Sequence, residues 1–90
     1  MQLNIEHDDM AQKFSTEVDG EEALLAYTMI NDSLNLHFLL APNEDVAEEL
    51  CKAAFEYARK NGLKIISSSD YIDTIFLKNH SEYADLIEED

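Results

Sequence analysis

The sequence predicts a small α/β domain of the α+β kind: an antiparallel four-strand meander, a central helix, a fifth strand and C-terminal helices. Three observations predict it. In the first half, apolar residues alternate or cluster in short runs broken by turn residues. From Glu44 the apolar period lengthens to that of a helix. A brief, nearly continuous apolar run follows the glycine that ends this helix.

Leu3 and Ile5 alternate with Asn4 and Glu6, giving a short first strand. After the Asp8-Asp9 break, Lys13 to Val18 alternates again and stops at Asp19-Gly20, a dipeptide that tolerates positive φ and closes a two-residue hairpin. Glu22 to Ile30 contains helix formers in Ala23, Leu24, Leu25 and Ala26. Its place between that turn and Asn31-Asp32 makes it the third strand, with Leu34 to Leu40 as the fourth.

The helix carries Ala47, Leu50, Cys51, Ala54, Tyr57 and Ala58 on one stripe, with Pro42-Asn43 as its start and Asn61-Gly62 as its stop. Glu44, Asp45, Glu48 and Glu49 near its start and Arg59 and Lys60 near its end complement its dipole. Leu63 to Ile66 reads as a buried strand returned to the sheet by this crossover helix. Ser67-Ser68-Ser69-Asp70 offers capping side chains for a second helix reaching Asn79, and Ser81 a final helical turn with Tyr83, Leu86 and Ile87. No repeat or low-complexity linker divides the chain, so one domain over 1–90 is expected.

Twenty acidic residues against six basic ones give a formal charge of −14. That charge repels phosphate-rich surfaces, so neither nucleic acid nor an anionic membrane is an expected partner, and it favours an amine or a basic protein surface. One cysteine, Cys51, excludes an intrachain disulfide and suits the cytoplasm; on the apolar stripe it reads as a packing residue. Glu6, Asp8 and Asp9 are unlike a secretory leader, and no apolar run reaches the ~20 residues that span a bilayer. The pairs Asp8-Asp9 and Glu44-Asp45 and the tail Glu88-Glu89-Asp90 lack Ca²⁺-loop spacing, so no metal is expected. Nothing in the sequence fixes an oligomeric state.

The order Asp19-Gly20, Ala23 and Tyr27, His37, EYARKNGLKII from Glu56 to Ile66 and HSEYADLI from His80 to Ile87 resembles the small acetyltransferase-like proteins of the GCN5-related N-acetyltransferase superfamily. The resemblance spans nearly the whole chain and implies the acyl-CoA N-acyltransferase-like fold, with acetyl-CoA as cofactor. In that family a turn of the form Arg-Gly-x-Gly, followed by Ile-Ala, holds the cofactor diphosphate at the start of the central helix, where bare amides and the helix dipole face the phosphates. Val46-Ala47 matches the Ile-Ala pair, and the backbone of Leu39, Leu40 and Ala41 matches the segment that holds the pantetheine arm. Between Pro42 and Val46 stand Asn43, Glu44 and Asp45, so the arginine and both glycines are missing. Each carboxylate opposes a phosphate by ~1 kcal/mol in water, and the shortened loop removes donors as well, so the usual acetyl-CoA binding is expected to be impaired.

His37 matches the family's strand histidine beside the acetyl site, where it either takes a proton from an amine or hydrogen-bonds within the sheet. Ser69 stands where the family commonly has a cysteine proposed as catalytic, and it serves equally to cap the next helix. His80 reads as a joint between helices, and Tyr71 and Tyr83 as amphipathic packing residues. Two functions follow: an N-acetyltransferase for a small amine or lysine with weakened cofactor binding, or a non-catalytic scaffold whose acidic face or cleft binds another protein.

Overall fold

The computed structural model describes residues 4–67 and 70–88. Five strands form one sheet in the order of the chain: β1 (Glu6–Asp8), β2 (Lys13–Val18), β3 (Glu21–Ile30), β4 (Ser33–Leu40) and β5 (Lys64–Ser67). The first four run antiparallel and β5 lies parallel to β4, as a crossover through a helix requires. Asp19 and Gly20 have φ of 53° and 82°, the left-handed pair that matches the twist of the β2–β3 hairpin.

The first strand lies C-terminal to its expected place. Leu3 is outside the described residues, Ile5 precedes the strand, and Glu6–Asp8 forms it instead. The reason is aromatic packing across the pair. His7 lies opposite Phe14 with their rings stacked at 4.2 Å, and its Nε2 meets the Tyr27 hydroxyl at 2.5 Å.

The central helix α1 spans Glu44–Lys60. At its end Gly62, with φ of 68°, lets the Leu63 N–H reach back to the Ala58 carbonyl at 2.8 Å. The helix buries Val46, Ala47, Leu50, Cys51, Ala54, Phe55 and Ala58 against β2 to β5. Phe55, which the sequence stripe omitted, is fully buried, whereas Tyr57 is half-buried beside His7.

The second helical segment departs from the expected regular helix. Asp70 and Tyr71 are helical, Ile72–Phe76 winds as a π-helix, and Leu77–Asn79 returns to α geometry as α2. Ile72 and Phe76, at the two ends of the wide turn, are both buried. Ser67 belongs to β5 rather than to a cap, and Ser68 and Ser69 lie outside the described residues. A 3₁₀ segment, Ser81–Leu86, follows. Its Tyr83 packs on Phe55 and Phe76 at 5.5 and 5.8 Å and donates its hydroxyl to Glu56 at 2.5 Å. Arg59 holds the same segment through Asp85 at 3.1 Å and the Glu82 carbonyl at 2.8 Å.

All these helical segments pack together with α1 on one face of the sheet, where Phe14, Leu25, Tyr27, Leu36 and Ile65 form the core. Alternate residues point the other way. Leu24, Ala26, Phe38 and Leu40 share that opposite face with Lys13, Ser15 and Glu22, and no described helix covers it.

Candidate functional site

The site begins at an irregularity in β4. Ala26 pairs with Phe38 and Tyr27 with Leu36, so His37 is the extra residue of a β-bulge, and it is exposed. Among the described residues, β5 pairs with Ser33 to Leu36 and with none of His37 to Leu40. The C-terminal half of β4 therefore presents backbone N–H and C=O groups along an edge that β5 leaves unoccupied.

Beside that edge is a cleft of about 230 Å³ lined by Leu39, Ala41, Asn43, Glu44, Ala47 and Tyr71. Its walls are the end of β4, the first turn of α1 and the start of the following helical segment. The lining is largely apolar, with Glu44 and the Tyr71 phenol as its ionisable groups. Burial pushes the phenol up to about 12, helped by its interaction with Cys51 and by the charges of Glu48, Glu44 and Asp45, so Tyr71 remains a hydrogen-bond donor through neutral pH.

The first turn of α1 is already capped. Asn43, extended at φ of −157°, accepts the Val46 N–H on Oδ1 at 3.0 Å, and its carbonyl accepts the Ala47 N–H at 3.1 Å. The cap is thus the Asn43 amide, and not Glu44 or Asp45, whose carboxylates stand exposed at the helix start.

The residues singled out from sequence do not all meet at the cleft. Leu39, Ala41 and Ala47 line the cleft, with His37 two positions before Leu39 on the bulge. Leu40 projects onto the opposite face of the sheet, is 50% exposed and does not line the cleft; the Val46 side chain is buried in the core. Ser69 lies outside the described residues. Cys51 is fully buried, and desolvation, with the charge of Glu48, raises its thiol to about 12, which leaves it unreactive. His80 sits between α1 and the C-terminal segments, its Nε2 3.2 Å from Glu48.

Tyr71 is the cleft residue that sequence reasoning assigned elsewhere, as a packing residue. The available signal for Tyr71 was its position, one residue past the capping run and so in the first turn of a helix returning toward α1. No group of three or more His, Cys, Asp or Glu side chains among the described residues is arranged to hold a metal, and no helix among them is long and apolar enough to cross a membrane.

A comparison with family models matches residues 13–86 to the family described as GCN5-related N-acetyl-transferase. A search of curated proteins finds no match.

Proposed function

Because the chain belongs to the GCN5-related N-acetyltransferase family, we propose that its cleft receives the acyl and pantetheine end of acetyl-CoA while the diphosphate is held weakly. The protein is then an N-acetyltransferase of low cofactor affinity acting on a cationic amine. One observation carries this reading: the edge of β4 from His37 to Leu40, unpaired among the described residues, lies beside an apolar cleft. An extended amide-bearing chain can pair with such an edge as a strand would.

The two ends of the site fit the cofactor unequally. Leu39, Ala41 and Ala47 offer apolar walls and β4 offers backbone partners for the arm. At the diphosphate end the Val46 and Ala47 amides are occupied by Asn43, and Glu44 brings a negative charge. Acetyl-CoA, when bound, supplies an acetyl group activated as a thioester. For a cationic amine, one proton would leave nitrogen to free its lone pair, nitrogen would then bond the acetyl carbon as the carbon–sulfur bond breaks, and a second nitrogen proton would pass to sulfur. His37, exposed on the bulge, takes the amine proton, and the Tyr71 phenol donates a hydrogen bond toward the departing sulfur. The charge of −14 concentrates cationic amines, polyamines or basic peptides, around the site. A cytoplasmic setting, with acetyl-CoA at hand and the lone thiol kept reduced, suits this chemistry.

Comparing acetyl-CoA with acetyl-pantetheine by calorimetry tests the reading. The two Kd values should agree within about threefold, because the diphosphate adds little. Acetyl transfer to spermidine or a lysine peptide should fall at least about 100-fold in His37→Ala. A much tighter Kd for acetyl-CoA would show a working diphosphate site that the capped turn does not suggest. If neither compound binds at millimolar concentration, the second reading replaces the first: a non-catalytic scaffold, favoured by the Asn43 cap and by Glu44 at the cleft.

A further inference from the structure

The face of the sheet opposite α1 has an apolar centre and an acidic margin. Leu24 pairs with Leu40 and Ala26 with Phe38, so the four side chains adjoin on neighbouring strands. Phe38 is 51% and Leu40 50% exposed, large values for an aromatic and an aliphatic side chain set side by side in a sheet. On the same face the register places Glu6 and Glu17 toward the β1 edge and Glu22 beyond Leu24 at the β2–β3 turn. The one basic side chain among them, Lys13, is bound to Glu22 at 3.0 Å.

We infer that this open face docks a basic amphipathic segment of another protein, its apolar side chains on Leu24, Ala26, Phe38 and Leu40 and its lysines or arginines on Glu17 and Glu6. Charge selects this occupant over the alternatives. A second copy seated face to face would bring two acidic margins together on chains already at −14, and an anionic lipid surface would meet the same repulsion. A basic amphipathic segment satisfies both halves at once, burying the apolar strip while its cations replace water at the carboxylates. The inference does not depend on acetyl transfer, since the cleft opens at the end of β4 on the helix side.

The test is titration of the full chain with a leucine–lysine peptide patterned as an amphipathic helix, beside a control of equal length and charge with serine for leucine. Amide shifts in NMR should map to Leu24, Ala26, Phe38 and Leu40. The double substitution Phe38→Ser and Leu40→Ser should weaken the leucine–lysine peptide about tenfold and leave the control unchanged. Glu17→Gln, which keeps the strip intact, should weaken the leucine–lysine peptide and flatten its salt dependence. Equal affinity for the doubly substituted protein would overturn the proposal, because charge alone would then explain binding. So would shifts confined to the helical side, tight binding to anionic vesicles, or a dimer in sedimentation that the double substitution dissociates.

Discussion

Leu25, Leu36 and Ile65 on one face of the sheet are sealed by α1 and the aromatic group of Phe55, Phe76 and Tyr83, whereas Phe38 and Leu40 on the other meet solvent. The residue types are much the same. What differs is that a single amphipathic helix and the segments stacked on it supply one layer, and a sheet has two faces to cover. Apolar strands therefore hold the fold together where a helix answers them, and on the other side they are surface available for recognition.

Substitution should separate the two faces sharply. Phe55→Ala removes a fully buried ring and should cost about 3–5 kcal/mol in denaturant unfolding. Phe38→Ala should stay within about 0.5 kcal/mol, and an equally large loss there would mean that the open face is covered in solution. Tyr83→Phe deletes the hydroxyl donated to Glu56 and should cost about 1–3 kcal/mol, read in the same way. Asn43→Ala should cost about 1 kcal/mol through the lost cap. It should also raise the preference for acetyl-CoA over acetyl-pantetheine, since the Val46 amide becomes available to phosphate.

The smallest effect at neutral pH, and one confined to the covered face, is alkaline sensitivity. Folding raises Cys51 from 9.0, and Tyr71 and Tyr83 from 10.0, to about 12 in each case. The folded chain thus keeps protons that the unfolded chain releases first. The associated stability is complete below pH 9 and is lost as pH climbs toward 12. Melting curves between pH 8 and 12 should show this decline, and Cys51→Ala should delay its onset.

Much of the architecture was legible because local chemistry and fold agree. Asp19-Gly20 marked a hairpin, and Pro42-Asn43 and Asn61-Gly62 bracketed α1 at Glu44–Lys60. The first strand was misplaced because its position is set by His7 stacking on Phe14 and reaching Tyr27, contacts between residues that adjoin only after β2 and β3 have paired. Periodicity also could not say that Leu24, Phe38 and Leu40 would lack a cover, since a strand apolar on both sides looks the same whether or not a second layer exists. In the cleft, sequence marked the β4 segment and the helix start. Tyr71 read only as a packing residue because its place in the cleft arises from the approach of a helix whose π-turn no residue pattern announces.

Parts of both lateral borders of the sheet are blunted against further strands, while β4 from His37 to Leu40 stays open to pairing among the described residues. On one side β1 is three residues long and bears Glu6 and Asp8; on the other, Ile87 bridges Ile65 and the Glu88 N–H binds the Ile65 carbonyl at 2.8 Å. A chain that leaves apolar side chains in water would otherwise invite edge-to-edge stacking into fibres. The blunted stretches leave less backbone edge available for such stacking beside the displayed Phe38 and Leu40.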